Sequence, residues 1–506
     1  MSKFLIDLNS SLKLHFTYFH MYLAEIIHND GHEVCFVGTK TTIDELLRNH
    51  QYVDDMDVII REQILEGITV ADPVAEGVRI EEYYEEKLAL LMSFDRSLGK
   101  GYITNAHNHP DSDRVGLDNF NKQMMVIRDV RYWEKIFQEF NPDYLVTPCL
   151  TKSCAMVARD KNVSAYALYP ARHGSRYHWT DDEYIGNGDL SEMLKWQVSN
   201  DYDVLDSVDL EYRQMEYAVN KHNSINYGVF HAYTSMFRGL WIDVWNNFRL
   251  NLYDLRHFRL PRILKGSFRT KRAKWIRPIL ARPRSFAYVS RVGVTPSDLK
   301  GYDLVYVPLH LEPEIALLQA SPEFNNSLEM IVWISKSLPA NCALVVKEQP
   351  ISFGIRDLRF YQMLEKTANV FWARPDVHPW DWIKSSKIVA TISGTTAYEA
   401  IYFGKPVISY GIHQAINLLP TVRVVSDYES TSGAVNDLLG LLENDIIFSK
   451  CSQWLANACE QTSFALPGFE DGWLPTVARK EMAEKAYVGL VEKINWSIQG
   501  RLSIGN

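Results

Sequence analysis

The sequence predicts an α/β protein of two domains, each built on parallel strands, and three observations carry that expectation. The chain has 506 residues, more than one hydrophobic core ordinarily serves. Its opening alternates a strand over residues 4–8, a helix from Phe16 to Asn29 and a strand within Gly31–Gly38. Far downstream, a β-rich run from Lys387 to Ile392 gives way to helically spaced Ala397, Ala400 and Ile401. Gly404 ends that segment, and Pro406–Ser409 begins another β-rich run. Strand, tight turn, short helix and strand make one parallel crossover.

Composition limits the classes that remain. Hydrophobic residues make up 46% and charged residues 23%, a globular balance. No apolar run reaches the roughly 18 to 20 residues of a spanning helix. Met1–Asp7 lacks the apolar core and cleavage site of a signal peptide, and the expectation is a cytoplasmic protein. The six cysteines are scattered without a Cys-x-x-Cys pair, which argues against a zinc site or a disulfide framework. A net charge of −9 disfavours a general nucleic-acid binder.

In chain order, residues 40–100 are polar and mixed, and helix is expected there, with the acidic cluster Glu81–Glu86 as a solvated face. His107 and His109 could share one face of a strand as metal ligands, but the Asn, Pro, Asp and Ser around them favour a polar loop. A helix is predicted over 118–140, ended by Asn141-Pro142-Asp143. A strand over Tyr144–Thr147, a helix over Lys152–Lys161 and a strand over Ser164–Leu168 follow. Arg172, His173 and Arg176 come after that last strand, where open α/β sheets bind ligands. They either meet an anionic substrate or are surface charges. Residues 180–250 read as helix.

Leu255 to Ser297 contains no Asp or Glu, and its Arg and Lys residues alternate with apolar ones. In an acidic protein this reads as a contact with an anionic membrane surface through residues 255–284, or as a basic linker lying across acidic helices. Pro261, Pro278 and Pro283 mark a domain boundary in either case. Strands are then predicted at Leu304–Pro308, Ala343–Lys347 and Val370–Trp372, with helices at Ser327–Ser337, Leu358–Lys366 and Pro379–Ser385. The segment from Val435 to Ile494 is expected to be mainly helical. Strand ends thereby deliver His310, Glu312, Glu314, Lys347, Gln349 and Ser393 to one edge of one sheet. At that edge Ser393, Gly394, Thr395 and Thr396 open a helix. There hydroxyls, free backbone N–H groups and the helix dipole can hold a phosphate. Glu399, about one turn in, could reach a ribose. The plainer reading is an ordinary N-cap.

Three motifs stand in order within roughly residues 300–412. They are Val307-Pro308-Leu309-His310-Leu311-Glu312-Pro313-Glu314, Val346-Lys347-Glu348-Gln349-Pro350, and Ser393-Gly394-Thr395-Thr396-Ala397-Tyr398-Glu399-Ala400 with Phe403-Gly404-Lys405-Pro406. As a set they resemble the bacterial capsule polysaccharide biosynthesis family, which contains retaining β-Kdo transferases. The resemblance implies a GT-B glycosyltransferase, two Rossmann-like domains facing across a cleft. It also implies a CMP-activated ulosonic acid donor, no required metal or cofactor, and a glycan or glycolipid acceptor at the inner membrane face. On that pattern residues 1–254 bind the acceptor, 255–297 form the basic segment, 298–440 bind the nucleotide sugar and 441–506 form a helical tail. Glu314 matches the catalytic carboxylate, with Glu312 or His310 handling the acceptor proton. Lys347, Gln349, Pro350, Ser393, Gly394, Thr395, Thr396 and Glu399 hold the donor. Gln349 stands where the family commonly has His; it can hydrogen-bond but carries no charge. Other readings that fit the residues are a transferase using another CMP-nonulosonate or a UDP- or GDP-sugar, a non-catalytic glycan assembly or export factor, and a nucleotide-sugar epimerase.

Overall fold

A computed structural model describes residues 1–8, 14–49, 56–94, 119–203, 241, 245, 277–312, 315–354, 356–441, 446–469 and 476–495. These fall into two compact units. The first combines residues 1–94, 119–203 and 453–495, and the second includes 277–452.

The first unit holds a seven-stranded sheet. Its strands are β1 (Lys3–Asp7), β2 (Glu33–Gly38), β3 (Asp57–Ile60), β4 (Tyr144–Thr147), β5 (Ser164–Pro170) and β6 (Arg176–Thr180). The second unit contributes β7 to β12, and β13 (Phe464–Ala465) returns to the first sheet. The order in the first sheet is β13-β6-β5-β4-β1-β2-β3. From β3 to β5 all neighbours are parallel, while β6 pairs antiparallel with both β5 and β13. Strand β3 lies in a stretch expected to be helical. Its Asp57-Val-Ile-Ile run is four residues long, too short for a periodicity to separate it from the helices around it.

Phe19, Leu23 and Ile27 of the helix Leu14–Asn29 pack on this sheet together with Met482, Ala486 and Leu490 of the helix Thr476–Ile494. The segment read as a helical tail is therefore part of the first unit's core. Trp179 Nε1 donates to Ala486 O at 2.8 Å. Gly489 is required there: a Cβ would stand 2.3 Å from the Phe464 ring. Arg176 reaches into the same region. Its Nε donates to Ser463 Oγ at 2.9 Å and its Nη2 to Glu460 O at 2.8 Å, so it satisfies a carbonyl at the end of the helix Ile446–Gln461.

The second unit has six parallel strands: β7 (Asp303–Pro308), β8 (Cys342–Lys347), β9 (Val370–Trp372), β10 (Ile388–Thr391), β11 (Val407–Ser409) and β12 (Val422–Val424). Their order is β12-β11-β10-β7-β8-β9. Val305, Val307, Leu344, Val346, Ile388 and Ala390 are fully buried, as expected of strands covered on both faces. The chain winds outward from β7 to β9, then crosses back to β10 and winds the other way. The sheet's topological switch point therefore lies between the carboxyl ends of β7 and β10. Two Rossmann-like units of parallel sheet are the α/β class that the sequence predicts. No described helix is long and apolar enough to cross a membrane.

Candidate functional site

The switch point of the second unit is bridged by His310. The residue lies two positions past the end of β7 and is 6% exposed. Its Nε2 lies 3.1 Å from Thr391 Oγ1, and Ser393 N–H donates to the same nitrogen at 3.3 Å. Thr391 in turn donates to Ser393 O at 2.9 Å. The end of one strand thus fixes the turn that follows its neighbour.

That turn opens the helix Thr395–Tyr402 without a side-chain cap. Seven other described helices begin with a side-chain cap, Asp72, Thr151, Asn187, Asn326, Asp357, His378 and Asp427 each accepting from a first-turn N–H, whereas the short helix Arg61–Glu66 lacks one as well. Here the capping position is Gly394, at φ +126°, a conformation L side chains rarely adopt. A Cβ on it would stand 3.2 Å from His310 Cε1. The helix's first N–H groups are left for a partner from outside the turn. Thr395 and Thr396 are half-exposed, and among the described residues their hydroxyls make no hydrogen bond. Ser393 and Glu399 are buried.

From β8, Gln349 arrives half-exposed beside exposed Pro350, its side-chain amide unpartnered among the described residues. Because β8, β7 and β10 are neighbours, Gln349, His310 and the Ser393 turn span about 10 Å at one sheet edge. Lys347 is not directed at that turn. It is 4% exposed and donates to Arg374 O at 3.0 Å and Pro375 O at 3.4 Å, in the loop after β9. Burial pushes its pKa down to about 7, and the attraction of Asp376 and Asp381 does not restore it. Glu312 is equally withdrawn, at 1% exposure, accepting from Ser327 Oγ and lying 3.5 Å from Arg356 Nη2. Glu314, His107 and His109 lie outside the described residues, as do residues 255–276.

A group that pattern reading misses lies beneath these residues. Arg356 Nη1 contacts both carboxylate oxygens of Glu348, at 2.6 and 2.8 Å, and Nη2 donates to His310 O. Glu348 also accepts from Tyr361 Oη and from Gln349 N–H, each at 2.9 Å. Burial raises the Glu348 pKa against these donors. Burial also opposes the Arg356 charge, but Glu348 and Glu312 outweigh it and hold the guanidinium pKa above its ordinary value. The one trace of this group in the sequence is Lys347-Glu348 at the close of an apolar strand.

In the first unit, the Arg172–Arg176 segment is a tight turn between β5 and β6, with Arg172 and Gly174 both at φ +58°. His173 Nε2 lies 3.8 Å from Glu460 Oε1, and Arg176 is committed to residues 460–463. These contacts bind the chain to itself and do not gather the three cations around an open anion site. Among the described residues no group of three His, Cys, Asp or Glu could hold a metal ion.

No protein-family model matches the chain, and no curated protein does. Among solved structures it is similar to S. aureus MnaA with UDP at 12% identity, covering 91% of this chain and 95% of that one, with a TM-score of 0.28. The Thermosulfurimonas dismutans KpsC β-Kdo 2,7 transferase shows 16% identity, 68% and 97% coverage, and a TM-score of 0.31. The Neisseria meningitidis UDP-GlcNAc 2-epimerase bound to UDP-GlcNAc shows 12% identity, 90% and 97% coverage, and a TM-score of 0.29. Scores of this size carry no weight for activity; strand order defines the architecture.

Proposed function

We propose that the chain is a glycosyltransferase that binds a nucleotide-activated sugar in its second unit, the donor phosphate resting on the Ser393–Thr396 turn. The observation that carries this reading is the uncapped helix start at the switch point, pinned by His310 and presenting two threonine hydroxyls that make no hydrogen bond among the described residues. Departing phosphate gains from such preorganised donors because they need no reorganisation as charge develops. Gln349 lies on the sugar or base side of that turn, and Glu399 holds the ribose. Lys347, bonded to main-chain carbonyls, supports the sheet edge and is not a phosphate ligand.

The motif set at residues 307–314, 346–350 and 393–406 supports a CMP-linked Kdo or related ulosonic acid as donor, and a bacterial surface glycan as acceptor. Such a ketosidic donor reacts through an oxocarbenium-like centre. Glu314 acts there as the nucleophile or as the carboxylate that stabilises the charge. Glu312, buried between Ser327 and Arg356, is removed from the acceptor-proton role, leaving His310. Residues 255–284 would keep the enzyme at an anionic membrane surface.

A melting-temperature screen against CMP, UDP and GDP tests the donor class. The expected result is a rise with CMP alone. A rise with UDP alone would move the donor to UDP-sugars, and no rise with any nucleotide would remove the reading. In the same assay Glu314→Gln should keep the CMP shift while turnover drops by orders of magnitude; equal turnover takes Glu314 out of the chemistry.

A further inference from the structure

We propose that Arg356, gripped by Glu348, is a positioning residue of this nucleotide site, setting the spacing between Gln349, His310 and the Ser393 turn. The proposal rests on the donor-site reading for its consequence, but its geometry stands alone. One carboxylate controls two strand ends. Glu348 holds Gln349 directly through its N–H and holds His310 through the guanidinium, which donates to the His310 carbonyl. His310 then carries the constraint across to β10 by accepting from Ser393 N–H. The path from β8 to β7 to β10 is thus a continuous series of directional bonds.

The segment that brings Arg356 into place is itself fixed. Gly354, at φ +82°, lies against the helix Arg277–Val292 so closely that a Cβ would be 2.7 Å from Arg282 N. Arg282 Nε donates to Phe353 O at 3.2 Å. Tyr361, on the helix Leu358–Glu365, closes the group from the other side.

Stability alone does not account for this cluster. The core around it is apolar, with Val307, Leu309, Val346 and Phe353, and apolar side chains of similar volume commonly serve as well as a buried ion group. Arg356 Nε and Glu312 Oε2 are moreover buried without a hydrogen-bond partner among the described residues, a cost that packing would not select. What ions provide and methyl groups do not is direction. A guanidinium fixes the angle and distance of each group it binds.

The test replaces the cluster in the full chain by Glu312→Leu, Glu348→Leu, Arg356→Met and Tyr361→Phe together, with Arg356→Lys as a separate variant. The readouts are melting temperature, CMP and UDP titration, and amide hydrogen exchange. The combined variant should melt near the wild type and keep protection in β7, β8 and β10. Exchange should rise about tenfold in peptides covering 309–312, 349–354 and 391–397, and nucleotide affinity should fall about tenfold to a hundredfold. Arg356→Lys keeps the charge but loses the fork, and should show the same pattern more weakly. Unchanged exchange in those three peptides overturns the proposal, in Arg356→Lys alone if the combined variant fails to fold. If the wild type binds neither nucleotide, the donor-site reading fails, and the exchange result still decides whether Arg356 positions the three strand ends.

Discussion

Two buried lysines, one in each unit, show how differently the two units use their polar groups. Lys152, 3% exposed, lies 2.6 Å from Glu86 and 3.0 Å from Glu183 and donates to Tyr184 at 2.9 Å. Burial disfavours its charge, but those partners outweigh burial and raise its pKa. Lys347, 4% exposed, donates to two carbonyls, and burial prevails, bringing it down to about 7. The same contrast runs through both switch points. Between β1 and β4 of the first unit, Thr147 Oγ1 donates to Asp7 at 3.0 Å, one side chain satisfying another. Between β7 and β10 of the second, a histidine holds a turn whose threonine hydroxyls make no hydrogen bond among the described residues. At these two pairs of positions the first unit meets side chain with side chain, while the second leaves the Thr395 and Thr396 hydroxyls without a hydrogen bond among the described residues.

The sharpest way to break this comparison is at Lys152. Lys152→Met would leave Glu86 and Glu183 close together with one cation fewer. Chemical denaturation should show a loss of about 3–5 kcal/mol, with nucleotide binding unchanged. A loss of nucleotide affinity at equal folding would mean that the first unit also serves the donor.

Lys347 gives the next largest effect, and its sign is fixed by linkage. Its folded pKa of about 7 lies below the ordinary 10.5, so between these values the unfolded chain holds a proton that the folded chain lacks. Stability contributed through this residue therefore rises with pH across that window, by about 1.4 kcal/mol per pH unit, and is flat below it. Subtracting the pH profile of Lys347→Met from that of the wild type isolates the slope. A flat difference would mean that the amine is not desolvated as its burial implies.

At the turn itself, Gly394→Ala places a methyl 3.2 Å from His310 on a backbone at φ +126°. Nucleotide affinity should fall about a hundredfold, with a smaller loss of stability. The control is Gly174→Ala in the first unit. That glycine is also left-handed, but a Cβ there meets nothing within 4 Å, so a loss of about 1 kcal/mol and no change in binding are expected.

The smallest effect is at Arg176. If it serves only to satisfy carbonyls at residues 460 and 463, Arg176→Ala lowers stability by about 1–2 kcal/mol and leaves acceptor use untouched. A specific rise in acceptor KM would restore the anion role suggested by its position after β5.

The sequence by itself determined the α/β class, the parallel strands of both units except β3 and β12, and the turn at Ser393–Thr396. Each is written locally, in β-branched runs, in turn residues and in a Gly at a helix start. It could not supply the pairing of β6 with β13, because antiparallel partners nearly three hundred residues apart leave no mark on either short strand. The contact of His310 with Ser393 and the grip of Arg356 on Glu348 were likewise decided only in three dimensions. A side chain's partner is set by which strands end side by side, and strand order is a property of the folded sheet. The same reason makes Lys347 and Glu312 read as ligand residues in one dimension and stand buried and internally bonded in three.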